Sequence, residues 1–482
     1  MTRVRTRTTS LVVRRALSIG LALFAATVLS ACSTARPWIN QPLRSDAALQ
    51  DQASVKPAPR PIIAAVTFSG GGARAAAFGL GVLQELKATR FTVENRETTL
   101  LDEVGLISGV SGGSVLASYY AAFGDETLDR FEKDFLLVNF QTGLVNQVLS
   151  PGTLYSLSSP WYGRSNVLEQ RLQKVFRGVT FGDVRARRPW PQLLVTATDL
   201  TTGAPFEFTS EQFAVICSDL DSVPLSFAVS ASSSVPLLLS PITLRNHAGS
   251  CPRPAAAQAE PRQHGNLSAR LLRRIADSYR DSRRRPYIHL VDGGLADNLG
   301  VRGLMDHTIA SGSLHESFHA LPPGSVHKIV LVVVNSERAL ADRIDESDRV
   351  PGNLQVLDAM IFGAGSRWTE ETTEMVKDTA RKATEELRAL RGRGDSPFAA
   401  DAEIFVVNIR LLDLQDPRRR DSLLHVPTAF EILPSQSREL QAAGRQLLRA
   451  SPEFRRLRRN LGLDEGEAPT SEAAPEGEEP RP

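Results

Sequence analysis

Ser111 lies in Gly109-Val110-Ser111-Gly112-Gly113, the G-x-S-x-G pattern in which flanking glycines permit a sharp turn that exposes a serine oxygen. Forty residues earlier stands Gly70-Gly71-Gly72-Ala73-Arg74-Ala75. Consecutive glycines let successive backbone N–H groups turn toward one point, an arrangement suited to a phosphate or an oxyanion. The run is not a dinucleotide fingerprint, because position 75 is Ala. It also lacks the Gly-Lys-Ser/Thr ending of a P-loop. A third cluster, Asp292-Gly293-Gly294, ends the apolar run Tyr287–Val291. Taken alone, this aspartate reads as a turn residue. Beside a nucleophilic serine it is a candidate base.

A serine nucleophile ordinarily takes a histidine partner. The eight histidines are His247, His264, His289, His307, His315, His319, His327 and His425. None stands in a recognisable catalytic loop, and His425 is the best placed for a conventional triad. Only three cysteines are present and no His/Cys cluster has zinc-ligand spacing, so neither a disulfide-dense scaffold nor a zinc site is expected. With 56 basic and 54 acidic residues the net charge is +2. No global field recruits nucleic acid.

The elements that must position these residues follow from the apolar runs. Ile62–Phe68 precedes the glycine loop, and a helical pattern with Leu80, Leu83 and Leu86 follows it. Strand, turn and helix recur at Val104–Ser108, the Ser111 turn and Val115–Phe123. Leu193–Thr198, Tyr287–Val291, Ile329–Val334 and Ile404–Ile409 are further continuous apolar runs, the pattern of parallel strands covered on both faces. The expected fold is α/β: a three-layer α/β/α sandwich on a mainly parallel sheet, with Asp292 at the carboxyl end of a parallel strand, on the rim shared with the two glycine turns. Residues 365–392 read as a charged helix. Leu440, Ala443, Leu447 and Leu448 mark an amphipathic helix expected to pack on the sheet.

The ordered set of glycine loop with Arg74, elbow Ser111 and strand-end Asp292-Gly293-Gly294 resembles the patatin-like phospholipases, from about Ile62 to Gly300. Thr198-Asp199-Leu200, Phe206 to Thr209, Ala231-Ser232-Ser233-Ser234-Val235-Pro236 and Asp297-Asn298 support the likeness. Two positions depart from the pattern: Ser69, where patatin has an acid, and Ala75, commonly Gly. The resemblance implies a Ser111/Asp292 dyad without histidine and an oxyanion hole from Gly71 and Gly72, with Gly70 and Gly112 as further donors. Arg74 would hold the loop or meet a lipid phosphate. The implied substrate is a membrane phospholipid or lysophospholipid, and the chemistry calls for no metal or cofactor. An acyltransferase or histidine-dependent esterase on the same serine, and a non-catalytic lipid-binding lipoprotein, are the alternatives.

Arg3, Arg5, Arg7, Arg14 and Arg15, then the apolar stretch Ala16 to Ala31 and Cys32, have the layout of an export signal. Leu29-Ser30-Ala31-Cys32 resembles a bacterial lipobox, so residues 1–31 are expected to be removed and Cys32 lipidated. That places the protein on the periplasmic side of the envelope, attached to the outer membrane. Residues 32–60 read as a tether, 61–463 as the acyl hydrolase domain and 464–482 as an acidic, disordered tail. Cys217 and Cys251, the cysteines left after lipidation, are a candidate disulfide. Within the domain, residues 251–286 form a basic insertion. Its helix has Leu267, Leu271, Leu272 and Ile275 on one face and is read as a solvated face, with a membrane surface as the alternative.

Overall fold

The computed structural model describes residues 33–43, 60–250, 265–337, 348–352, 356, 359 and 364–463. Cys32, Cys251, the expected signal segment 1–31 and the expected tail 464–482 lie outside the described residues. Among the described residues there are ten strands: β1 (Ile62–Phe68), β2 (Arg90–Val93), β3 (Arg96–Thr99), β4 (Val104–Val110), β5 (Gln192–Asp199), β6 (Pro205–Glu207), β7 (Ile242–Arg245), β8 (Tyr287–Val291), β9 (Val326–Asn335) and β10 (Phe398–Arg410). The main sheet runs β10-β9-β1-β4-β5-β8-β7, with β6 beside β5, while β2 and β3 form a separate hairpin. Helices used below are α1 (Gly72–Ala88), α2 (Gly112–Phe123), α3 (Phe140–Val148), α4 (Pro151–Leu157), α5 (Leu267–Arg280), α6 (Arg302–Ser311), α7 (Ala364–Leu390) and α8 (Pro434–Ala450).

Alternation along the strands creates the three layers. In β9, Val330, Val332 and Val334 join the large core under α1 and α2. Leu331 and Val333 point the other way, into a cluster with Met305 of α6 and Val376 of α7. Both faces are therefore apolar, which explains the unbroken Ile-Val-Leu-Val-Val-Val run. The short strands β6 and β7 and the polar hairpin β2–β3 escape a reading by apolar runs because they lack one.

Three expectations change. β8 is antiparallel to β5, pairing only Thr198 with Val291 and Asp199 with Leu290. The strands overlap just at their carboxyl ends, so Asp292 still reaches the rim although its strand arrives from the opposite direction. Next, α8 packs chiefly across α1. Leu440, Ala443 and Leu448 are buried, Gln84 Nε2 donates to Gln441 Oε1 at 3.1 Å and Arg449 meets Glu85 at 2.6 Å. Finally, the start of the expected tether is packed on the body. Asn40 is buried, Trp38 meets Phe227 edge-on at 4.7 Å and Leu43 N–H donates to Cys217 O at 2.9 Å.

Helix α5 lies against α6, with Leu267 and Leu271 exposed and Tyr279 buried. Tyr279 Oη donates to Asp199 Oδ2 at 2.9 Å, and Arg285 meets the same carboxylate at 2.5 Å. The buried Asp199 thus ties the end of the basic insertion to the sheet. Cys217 is disulfide-bonded.

Candidate active site

Ser111 follows β4 directly and opens α2. Its φ is +49° and its ψ −121°, a region non-glycine residues occupy only where the surroundings enforce it. The enforcement is visible. Ser111 N–H donates to Ser232 Oγ at 2.8 Å, and Ser232 Oγ donates to Thr196 O at 2.6 Å. Gly112 packs backbone to backbone on Gly72, and a Cβ there would collide with the Gly72 carbonyl. Gly109 and Gly113 are likewise closed in, against the Gly113 carbonyl and the carbonyls of Phe68 and Ser69. The elbow and the glycine loop are thereby pressed into one unit. A side chain at Gly70 would sit 3.6 Å from Ser111 Cβ.

Asp292 is brought to the same place by register. Val110 pairs with Thr196 across β4–β5, and Val291 pairs with Thr198 across β5–β8. One step beyond each ladder, Ser111 and Asp292 fall on the two sides of Ala197. The aspartate backbone is held by Ser234 O, which accepts Asp292 N–H at 2.9 Å, and by Thr198 Oγ1, which donates to Asp292 O at 2.8 Å. Oδ1 accepts Gly294 N–H at 2.8 Å, and Gly293 lies flat against Thr196 O where a Cβ has no room. The buried Oδ2 makes no aligned hydrogen bond among the described residues. Burial pushes the carboxyl up to about 6, against the opposing pulls of Gly294 N–H and the Ser111 side chain. Proximity without alignment is the usual state of a nucleophile–base pair lacking substrate.

The N–H groups of Gly71, Gly72 and Gly112 meet no acceptor among the described residues. Gly70 differs: its N–H donates to Asn298 O at 3.0 Å, so it is a support of the loop rather than a free donor. Positive φ at Gly71 and Gly72 is what turns the chain into α1. The amino ends of α1 and α2 meet here, neither with an acid in its first turn. Two helix dipoles therefore bring positive potential to one spot.

Arg74 is buried. Its Nε donates to Ser336 O at 3.0 Å and its Nη1 to Val426 O at 2.7 Å. The guanidinium clamps the glycine loop to the ends of two other segments and is sequestered from a lipid phosphate. Ser336, just beyond β9, was not singled out by the sequence. Its Oγ donates to Gly70 O at 3.1 Å, and its N–H donates to Ser69 Oγ at 2.9 Å. Ser69 thus has a structural partner where patatin has an acid. Asn298 was noted only as part of a pair. Its carbonyl holds Gly70, and its Nδ2 lies 3.5 Å from Thr369 Oγ1 in α7. The neighbouring Asp297 accepts the N–H groups of Leu299, Gly300 and Arg302, and burial pushes it to about 6. A polar residue just past a strand's carboxyl end was the only sequence signal for Ser336.

His425 is exposed, and its Nδ1 faces Asp421 O at 2.6 Å. No histidine bonds to Ser111 or Asp292 among the described residues.

A family model described as patatin-like phospholipase matches residues 66–305, a span that contains the glycine loop, the elbow and Asp292. No curated protein matches the sequence. Human GIVD cytosolic phospholipase A2 is a similar solved structure, with 14% identity over 59% of this chain and 48% of that one, at a TM-score of 0.33. The same human protein in complex with methyl gamma-linolenyl fluorophosphonate shows 13% identity over 86% and 62%, at a TM-score of 0.38. VipD from Legionella pneumophila shows 13% identity over 87% and 73%, at a TM-score of 0.28. The alignment to the first of these spans about half of its length.

Proposed function

The chain belongs to the patatin-like phospholipase family, and on that premise we propose that it is a serine-dependent lipid acyl hydrolase cleaving carboxylic esters of membrane phospholipids or lysophospholipids. The observation that carries the proposal is the meeting of Ser111 and Asp292 on either side of Ala197, with Asp292 Oδ2 left for the serine proton.

In this reading Ser111 Oγ attacks the ester carbonyl carbon as its proton passes to Asp292 Oδ2. The carbonyl oxygen becomes an oxyanion, stabilised by N–H groups of Gly71, Gly72 and Gly112 and by the two helix amino ends. Collapse expels the alkoxide, which takes the proton from Asp292 and leaves an acyl-serine. Water, deprotonated by the same carboxylate, then releases the fatty acid and restores Ser111. Capture of the acyl group by an alcohol would make the enzyme an acyltransferase with the same residues. The histidine-dependent alternative is disfavoured by the exposure of His425 and the engagement of its Nδ1. We also propose that Cys32 carries lipid and that the protein works on the periplasmic side of the envelope, at the outer membrane, because the lipobox-like residues Leu29 to Cys32 and this chemistry point to the same bilayer.

The test is fatty-acid release by the full chain from mixed phospholipid vesicles and from a short p-nitrophenyl ester, beside Ser111→Ala and Asp292→Asn. Activity on either substrate that both variants lose, with folding intact, is the expected result. An inactive wild type on both substrates overturns the hydrolase reading. Full activity in Asp292→Asn moves the base elsewhere.

A further inference from the structure

Helices α3 and α4 are poorly covered for an apolar pair. Phe140 is the sole buried side chain of α3, and α4 buries none. Leu149, Leu154, Tyr155 and Trp161 are each close to half exposed or more, and so are Leu237 and Leu238 of the neighbouring turn. The two groups belong to one surface, since Arg164 Nη2 donates to Leu237 O at 2.7 Å. Apolar side chains grouped in this way on a soluble domain mark a contact with another apolar body.

Two observations say which body. The surface borders the candidate active site on both sides. Phe140 lies tilted against Phe430 with ring centres 5.6 Å apart, and the adjacent Ala429 O accepts Ala73 N–H at 2.7 Å, beside the glycine loop. Leu237 follows by three residues Ser234, which holds Asp292. The second observation is where the N-terminal segment goes. Ser33 is buried; its N–H donates to Ser158 Oγ at 3.0 Å, and Ser158 Oγ donates to Tyr155 O at 2.7 Å. Ser159 Oγ donates to Ala35 O at 2.7 Å, and the Arg36 guanidinium lies 3.6 Å from the Trp161 ring centre. Cys32 is one peptide bond from Ser33, about 3.8 Å between Cα atoms. Ser33, the residue that follows the expected lipid-bearing position, is therefore held beside the exposed apolar helices.

We propose that α3, α4 and the 235–240 turn form a membrane-docking face, which the lipidated Cys32 seats in a phospholipid bilayer with the Ser111 rim opening onto it. The identity of the partner rests on the reading given above; the face itself is tested without catalysis. Tyr and Trp suit this depth, having an apolar ring and a polar edge. An anchor joined directly to the buried Ser33 would leave little orientational freedom, so the rim is presented to lipid rather than to water.

The experiment uses the full lipidated chain in vesicles of phosphatidylcholine brominated on its acyl chains. The Trp161 fluorescence is isolated by subtracting a Trp161→Phe protein, and quenching of that signal is the expected result. Leu154→Glu is expected to reduce the quenching about tenfold, since withdrawing one leucine from an apolar phase is worth at least that much in partitioning. Leu271→Glu, on the exposed side of α5, is expected to leave it unchanged. An unquenched Trp161 in membrane-bound wild type overturns the proposal, because the domain then hangs clear of the bilayer. An inactive protein whose Trp161 is quenched would sink the hydrolase and leave the face standing. An active one with Trp161 unquenched would do the reverse.

Discussion

Ser111 sits in the parallel half of the sheet, between β4 and α2, and Asp292 in the antiparallel half, at the end of β8. They are held by different means. The serine turn is packed backbone on backbone: Gly112 against Gly72, Gly113 against Phe68 and Ser69. Its strain at φ +49° is enforced sterically. The aspartate is held mostly by hydrogen bonds: Thr198 Oγ1 and Gly294 N–H donate to it, and its own N–H donates to Ser234 O. Steric contacts give way abruptly, whereas a hydrogen bond contributes only about 1 kcal/mol net and fails gently. The serine side should therefore be brittle and the aspartate side tolerant.

The largest effect tests the roles themselves. Ser111→Ala should lower kcat by roughly 10⁵–10⁶-fold, the scale seen when a nucleophile is removed. Asp292→Asn should cost less, about 10⁴-fold, because the serine and its donors persist. Steady-state kinetics on the short ester ranks the two. A reversed order would mean that Asp292 does more than take the proton.

Gly112→Ala comes next. The new methyl must push Gly72 aside, displacing the N–H groups proposed to hold the oxyanion. A loss of about 10²–10³-fold in kcat is expected, with a lower melting temperature. A variant with wild-type kinetics would show that the two turns are not one unit.

The pH profile separates activity from stability. Burial holds the Asp292 carboxyl at about 6, against an ordinary 3.8, and only the carboxylate can accept the serine proton. The ratio kcat/KM should thus rise with pH and level off above about 6. Stability runs the other way. A folded-state value raised above the unfolded one favours folding while the group is protonated, and that contribution is lost as pH rises through 6. Asp292→Asn keeps the acceptor for Gly294 and never ionises, so its melting temperature should exceed wild type above pH 6 and match it near pH 4. The expected gain is on the order of 3 kcal/mol. Denaturation of both proteins at the two pH values checks this, and other buried acids such as Asp297 cancel in the comparison.

The smallest effect belongs to the tolerant side. Thr198→Val removes the hydroxyl that donates to Asp292 O and keeps the shape of the strand. A fall of about fivefold in kcat/KM is expected, the worth of one hydrogen bond. A loss as deep as that of Gly112→Ala would erase the contrast between the two halves.

The same contrast explains how much could be read from the chain. The glycine loop, the elbow and the six long apolar strands are local features. Their turns and alternation are encoded within a dozen consecutive residues, and the observed strands include every run expected from the sequence. The direction of β8 is not local. Tyr287–Val291 reads alike in either sense, because a five-residue strand carries no mark of its neighbour's orientation. The supports Ser336 and Asn298 were missed or undervalued for a related reason. Each makes its decisive bond to Gly70, more than 200 residues away, and a lone serine or asparagine after a strand has no periodicity to betray it. The packing of the first part of the expected tether was hidden for the same reason. Ser33–Leu43 has the composition of a linker, yet Ser33, Trp38 and Asn40 find partners at Ser158, Phe227 and Ser218.

By itself, then, the sequence determined the alternating layers, the two glycine turns and the identity of the residues on the rim. These depend on the spacing of apolar residues and on where a chain lacks side chains. Only the tertiary structure decided that Asp292 meets Ser111 across Ala197, that Gly70 is a support while the N–H groups of Gly71 and Gly72 have no acceptor among the described residues, and that Arg74 is a clamp. It also decided where residues 33–43 lie. Each of those facts depends on a contact between distant segments, made when burial of the common core brings their backbones within hydrogen-bonding distance.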